Sequence, residues 1–510
     1  MQVFRPKFAL FGLGLMALAG CTDAPLPPPP PPPNIVLITA GDIALEDISA
    51  YGGPIQTPNL ERLAALGSVF ERAYSAAVQP GPARAALASG RYPQRFGYHF
   101  DTQSVRRSVR EQTGIPNGVQ LISQRLRRYG YRTAHVGSWH LGAAPNFYPT
   151  YRGYDSFWGT LGASTAYIAP RAKKTVFAQT PRFPRPPVRL RFDRVYTGQR
   201  ADVVDNDDAY LTDDMGDYIV RELEAGLAAV PPALAQDDST GQAVASEQPA
   251  PMFLWAAFHA PRQPLTALRS DMAGLPALGS QQRQVYGAMI KALDRNIGKI
   301  LDALERSGAL EDTLIIFTAD RGCDGLAGTC PCGTLRGGSP NFHEGGLRVP
   351  LIIAMPGRFA SGQRIDAAVI SMDVTATMNA LGDPQQRYPV KLDGIDLSPL
   401  LADNSIETAG QLKRRRLFWH QHPFSAVLSA DIKYVANAIE ELPELYDLSA
   451  DPGERRNIAR RQKVQSADLA ASLSAWQQGN MPPVWQGYSQ ARAPICGRQE
   501  SILAPTPMQR

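Results

Sequence analysis

Asn34-Ile-Val-Leu-Ile-Thr39 is a run of four branched aliphatic residues held between two polar ones and followed by Gly41-Asp42. A short continuous apolar run closed by turn residues reads as a strand buried on both faces, the kind a parallel sheet uses. Tyr131 to Val136, Phe253 to Phe258, Thr313 to Thr318 and Pro350 to Ala354 repeat the type. Helical patterns lie between them. Leu60 to Leu66, Ala83 to Ala88 and Val119 to Tyr129 are short ones, the last with apolar residues at 119, 121, 122 and 126. Tyr286 to Ser307 is a long amphipathic one, apolar at 286, 290, 293, 297, 300, 301 and 304. Strands alternating with helices predict an α/β fold whose mostly parallel central sheet is sandwiched by helices. In such sheets ligands sit at the carboxyl ends of strands, so the loops after residues 39, 136, 258 and 318 are where a site is expected. From about 415 the pattern changes to short strands and one helix, Arg461 to Gln477. The reading is therefore a main domain over 34–410 and a smaller C-terminal α+β subdomain over 411–510.

The 510 residues are 44% hydrophobic and 19% charged, a globular balance that excludes wholesale disorder. Glycine and proline, 44 each, make 88 residues, about 17% against a usual share of about 12%, so loops are abundant. The net charge of +5, 52 basic against 47 acidic, is too mild to argue for a nucleic-acid partner. Arg171 to Arg200 carries nine basic residues and one acidic, and Ala201 to Asp217 carries seven aspartates. Over about 171–217 this insertion reads either as two blocks that neutralise each other or as a basic rim for an anionic glycan or lipid headgroup. Pro231 to Pro251, polar and rich in Pro, Ala and Gln, reads as a disordered excursion.

The first 21 residues read as a targeting segment. Arg5 and Lys7 precede Phe8 to Ala19, an apolar run of twelve, too short to span about 30 Å of hydrocarbon. Its end, Leu18-Ala19-Gly20-Cys21, resembles the bacterial lipobox, in which Cys21 would be lipidated and become the new N-terminus. Thr22 in place of Asp favours the outer membrane. The expectation is a lipid-anchored protein of the bacterial cell envelope, with a membrane partner through that lipid. Pro27 to Pro33, seven prolines spanning about 22 Å as polyproline II, would be a stiff tether within 22–33. Removing Cys21 from five cysteines leaves Cys323, Cys330, Cys332 and Cys496. An exported chain favours disulfides. Two cysteines separated by one residue bridge poorly, so Cys323 is expected to pair with Cys330 or Cys332, and Cys496 with the other. A zinc site is the rival, on a Cys-x6-Cys-x-Cys spacing that is not a usual zinc pattern.

The strand-end motifs carry a resemblance. Thr57-Pro-Asn-Leu-Glu-Arg-Leu-Ala-Ala-Leu-Gly67, Arg84-Ala-Ala-Leu-Ala-Ser-Gly-Arg-Tyr-Pro93 and Gly130-Tyr-Arg-Thr-Ala-His-Val-Gly-Ser-Trp-His-Leu-Gly142 resemble, in order, the sulfatase family of the alkaline phosphatase superfamily. So do Phe258-His-Ala-Pro261, Ala292 to Leu301, Glu344-Gly-Gly-Leu-Arg-Val-Pro350, Leu392 to Leu400 and Glu444 to Glu454. The resemblance covers about 34–460. It implies a formylglycine nucleophile, made from Cys or Ser in Cys/Ser-x-Pro-x-Arg, and a calcium ion.

Here Gly81-Pro82-Ala83-Arg84 fixes the register of that motif, and the nucleophile position is Pro80. Proline offers no atom from which a formylglycine can be made. The family's Asp-Asp pair is Gly41-Asp42, and its later Asp-Asn pair is Asp320-Arg321. Asp42 and Asp320 remain as residual metal ligands, too few for an ion that takes six to eight oxygens. Arg321 brings a guanidinium to the place of the cation, so replacement of metal by arginine is expected and no cofactor is required. Two family lysines that hold sulfate oxygens are replaced by Ser138 and Ser339. Arg84, His140 and His259 match family positions for nucleophile positioning and leaving-group chemistry, and His343 and Arg262 are expected to face the pocket.

Two functional readings stay open at this point. One is a sulfatase-family envelope lipoprotein without sulfuric ester hydrolase activity, a pseudoenzyme that binds a sulfated or acidic glycan through Arg84, the histidines and Arg321. The other is a divergent hydrolase of sulfate or phosphate esters that uses another nucleophile.

Overall fold

The computed structural model describes residues 31–102, 113–162, 166–167, 174–186, 195–197, 202–204, 209–228, 250–440, 442–485 and 487–505. Cys21, the first prolines of the tether, most of 231–251 and much of 171–208 lie outside the described residues.

The central sheet is assembled from β1 (Asn34–Ala40), β2 (Gly67–Tyr74), β3 (Arg132–Ser138), β4 (Ser156–Thr160), β5 (Met252–Ala257), β6 (Thr313–Ala319), β7 (Leu351–Ala354) and β8 (Gln363–Ile370), with three short edge strands. Across the middle the order is β2-β7-β6-β1-β5-β3-β4. The five strands β6-β1-β5-β3-β4 run parallel. β7 runs antiparallel between β6 and β2, so the apolar run ending at Ala354 is a buried strand of opposite direction, a feature that periodicity alone does not encode. Ile35, Leu37 and Ile38 of β1 are fully buried, each worth roughly 1.5–3 kcal/mol relative to exposure. That burial on both faces is what an unbroken apolar strand satisfies.

Helices cover the sheet. Those that bear on the site are α1 (Pro58–Leu66), α2 (Pro80–Ser89), α3 (Ile122–Arg128), α4 (Leu211–Ala228), α5 (Gln281–Arg306) and α6 (Ser371–Gly382). α3 is shorter than its apolar pattern. Residues 116–119 form a turn, with the Val119 N–H on the Pro116 carbonyl, and Leu121 is extended and bonded to Gln124 Oε1. α5 starts where the Ser280 hydroxyl accepts the Arg283 N–H, an N-cap that apolar periodicity does not show. Asp213 and Asp217 on α4 pair with Arg295 and Lys299 of α5. Among the described residues, these two acids of the insertion are thus answered by a helix.

The C-terminal portion is a four-stranded antiparallel sheet, β9 (Arg416–Gln421), β10 (Phe424–Ser429), β11 (Ile432–Asn437) and β12 (Glu444–Asp447), with α7 (Lys463–Gln478) and a final hairpin, β13 (Tyr488–Ile495) and β14 (Arg498–Pro505). Buried Lys433 on β11 is held between Glu344 and Glu454, both at 2.9 Å. The disulfides are Cys323–Cys330 and Cys332–Cys496, and the second ties the hairpin to the loop after β6.

Candidate functional site

Register decides which loops meet. Ala40 lies beside Ala319, Thr39 beside Ala257, and Ala257 beside Gly137. The four strands therefore end level, and the residues just beyond them converge: Asp42 after β1, Ser138 and His140 at the end of β3, His259 and Arg262 after β5, Asp320 and Arg321 after β6. α2 enters from the side. Its first residue is Pro80, where a missing N–H costs nothing because that donor has no partner inside the helix. Arg84 follows one turn later.

Three arginines and two aspartates form the centre. Arg262 Nη2 lies 2.8 and 2.6 Å from the two oxygens of Asp320, and Nε lies 3.2 Å from Asp42 Oδ1. Arg84 Nε donates to Asp320 Oδ2 at 3.0 Å, and its Nη1 donates to the Ser138 carbonyl. Arg321 reaches the two Asp42 oxygens at 2.5 and 2.9 Å, and its Nη1 reaches Ser339 Oγ at 2.6 Å. The Ser339 hydroxyl in turn donates to the Val78 carbonyl. Side chains of these charged residues are 1–11% exposed. Burial by itself would raise both carboxyls. Arg262 beside both, with Arg321 on Asp42 and Arg84 on Asp320, holds them below the ordinary carboxylate range.

Two histidines complete the centre. His259 Nδ1 shares a hydrogen bond with Ser138 Oγ at 2.9 Å. Burial, then Arg262 and Arg84, drives its pKa well below 6.5, so it is neutral at pH 7. His140 Nε2 lies 3.3 Å from Asp101 Oδ2, and burial again lowers its pKa. The Asp101 N–H is held by Gln79, the residue before Pro80. Among the described residues, Arg84 Nη2, Arg262 Nη1 and His259 Nε2 are buried with no hydrogen-bond partner. Buried donors left without partners cost about 1–3 kcal/mol each.

The expected residues Arg84, His140, His259, Arg321, Ser138, Ser339, Asp42 and Asp320 are thus brought together. His343 is not among them. Its Nε2 binds Glu444 of β12 at 2.8 Å, and it lines a separate cavity of about 140 Å³ with Arg336 and Glu500. It precedes the short helix Glu344–Leu347, whose start directs its side chain at the C-terminal sheet. Arg262, expected only to face the pocket, is the bridging cation between Asp42 and Asp320. Asp101 and Gln79 went unseen in the sequence; neither belongs to a motif with a chemical signature.

A calcium ion takes six to eight oxygens. Asp42 and Asp320 supply two carboxylates, and the space between them holds the Arg262 guanidinium. The residues do not fit that ion, and Pro80 does not fit a formylglycine.

Residues 33–383 match the family model for sulfatases. The chain belongs to the sulfatase family. Residues 341–478 match the model described as N-sulphoglucosamine sulphohydrolase, C-terminal. Among relatives, N-acetylgalactosamine-6-sulfatase of Rattus norvegicus is 29% identical over 484 residues, 88% of this chain and 83% of the relative. Arylsulfatase A of Homo sapiens is 32% identical over 454 residues, 83% of each. Among solved structures, Ps i-CgsB in complex with k-i-k-neocarrahexaose superposes with a TM-score of 0.74 at 26% identity, covering 89% of this chain and 95% of that one. A protein in complex with its substrate D-glucosamine-2-N,6-O-disulfate shares the fold, with a TM-score of 0.62 at 18% identity over 89% of this chain and all of that one.

Proposed function

We propose that this sulfatase-family protein binds the sulfate, or a similar oxyanion, of an acidic glycan and does not hydrolyse it. The observation that carries this reading is Pro80 at the first position of α2, where the family's nucleophile would stand. No oxygen or sulfur atom is available there to attack a sulfate ester. The binding half rests on Arg84 Nη2 and Arg262 Nη1, unpartnered donors of two fixed cations beside neutral His259. An oxyanion would satisfy both. The name of a relative, N-acetylgalactosamine-6-sulfatase, and the neocarrahexaose bound by a structural neighbour support a glycan ligand.

A second reading, a divergent hydrolase, is favoured by one contact. Ser138 and His259 form a hydroxyl–imidazole pair of nucleophile-and-base geometry. One assay separates the two. The purified protein is tested on an aryl sulfate and an aryl phosphate, and sodium sulfate is titrated in parallel while melting is followed. Non-hydrolytic binding gives a rise in melting temperature with sulfate and no turnover above the Arg84→Ala variant. Turnover that disappears in Ser138→Ala would establish the hydrolase.

The lipid anchor rests on the sequence at Cys21. If Cys21→Ser still sediments with membranes after a carbonate wash, the anchor reading is wrong.

A further inference from the structure

Gly41 and Arg262 are complementary across the loops after β1 and β5. A Cβ placed on Gly41 would stand 3.1 Å from Arg262 Cζ, Nε and Nη2. The guanidinium therefore lies in the space that a side chain at 41 would enter. The same guanidinium bridges Asp42 and Asp320, with all three residues at most 4% exposed. Two departures that look independent in the sequence are one change in space. Glycine at 41 makes room, and Arg262 fills the room with charge.

The charges agree. Three carboxylates, at 41, 42 and 320, with one divalent ion sum to −1. Two carboxylates with the Arg262 guanidinium also sum to −1. Arg321 on Asp42 and Arg84 on Asp320 then bring the centre to +1. Arg262 also supplies fixed donors where an ion would offer undirected attraction, which suits two carboxylates held 1% and 3% exposed.

We infer that Arg262 is a resident cation standing in for a divalent metal, and that a divalent-cation site on Asp42 and Asp320 is latent beneath it. The wild-type centre is complete without metal. Shortening Arg262 opens the latent site, and an aspartate at 41 then supplies its third carboxylate, as a hard-oxygen ion requires. This does not rest on oxyanion binding: failure to bind sulfate would leave every outcome below unchanged.

The test is melting of the full chain with millimolar calcium and with chelator, for wild type, Arg262→Ala, Gly41→Asp and the double variant, with terbium luminescence as a direct readout of occupancy. Wild type should melt at one temperature in both conditions and bind no terbium. Gly41→Asp should be destabilised in both, because the new side chain meets the guanidinium. Arg262→Ala should lose stability in chelator and recover part of it in calcium. The double variant should show the largest calcium-dependent rise, several degrees, and bind terbium. A calcium-dependent rise in wild type would overturn the inference, by showing that Arg262 yields to metal. So would a double variant that folds and takes up no terbium. If the double variant fails to fold even in calcium, Gly41→Asp with Arg262→Gln decides: terbium binding there upholds the latent site, and its absence removes it.

Discussion

Arg321 grips Asp42 with two donors, Nε 2.5 Å from Oδ1 and Nη2 2.9 Å from Oδ2, with side chains 11% and 2% exposed. A pair so withdrawn from water is costly to break from one side, because the partner left behind is a charge without solvent. Arg321→Ala should therefore destabilise the protein, by less than the roughly 3–5 kcal/mol of a wholly unpaired buried charge because Arg262 still holds Asp42. Arg416→Ala, which breaks the exposed pair with Asp468, should cost less than about 1 kcal/mol. Urea melts of the two variants check the contrast, and equal losses would show that the Asp42 pair is screened like a surface one.

Protonation gives a second expectation. Burial lowers the pKa of His135 to about 3 and of His420 to about 4, and lowers those of His140 and His259 below 6.5. These groups take up protons in the unfolded chain at a pH where the folded chain refuses them. The unfolded state then binds more protons, so stability falls as pH falls below about 6.5, by about 1.4 kcal/mol per pH unit for each such histidine. Asp42 and Asp320 act in the same direction but over a lower pH window. Their depressed pKa values stabilise the fold above the unfolded carboxylate range, and that contribution is lost only as pH drops below about 4. Stability should thus decline steadily from pH 6.5 to 5 before Asp42 or Asp320 titrates. A flat profile over that window would mean that the histidines are solvated.

The sheet was legible because its strands are buried on both faces and so written as unbroken apolar runs; β1 and β6 begin where the sequence places them. Direction was not legible. Leu351 to Ala354 reads the same whether it runs with β6 or against it. Within the site, the motifs placed Arg84, His140, His259 and the two aspartates, since each lies a fixed step beyond a strand end or inside a helix turn. Arg262 lies five residues past β5, and nothing in sequence says which way an arginine in a loop will reach. Its role becomes visible only with the empty space over Gly41. His343 shows the converse, a residue next to matching motifs whose side chain leaves the site for Glu444.

The two disulfides should differ in weight. Cys332–Cys496 closes a separation of 164 residues and Cys323–Cys330 one of 7. Loop entropy scales as (3/2)RT ln n, so the long bridge should stabilise by about 3 kcal/mol more than the short one. Cys332→Ser with Cys496→Ser should accordingly lower the melting temperature further than Cys323→Ser with Cys330→Ser. It should also release the hairpin, read as faster amide exchange in β13 and β14. Equal shifts would place the stabilisation in local packing instead of chain closure.

The last prediction concerns the nucleophile. If Pro80 were the only lesion, Pro80→Cys expressed with a formylglycine-generating enzyme would hydrolyse an aryl sulfate. The expected outcome is no turnover above the Arg84→Ala control. An aldehyde hydrate at position 80 would stand at the start of α2, with Asp42 and Asp320 already engaged by Arg262, Arg321 and Arg84. The sulfate would meet Ser138, turned to His259, and Ser339, turned to the Val78 carbonyl, where the family places lysines. Transition-state charge would then lack the two lysine ammonium groups that the family places on the sulfate oxygens. Groups that act as a unit do not recover one at a time. Restoration would need Gly41→Asp, Ser138→Lys, Ser339→Lys and Arg321→Asn beside Pro80→Cys. It would also need Arg262 shortened, because the new side chain at 41 would press on a guanidinium already pinned between Asp42 and Asp320. The decisive comparison is therefore between the five-fold variant and the same variant with Arg262→Ala. Turnover in Pro80→Cys alone would show that position 80 is the only lesion, and turnover in the five-fold variant with Arg262 intact would refute the coupling of Arg262 to position 41.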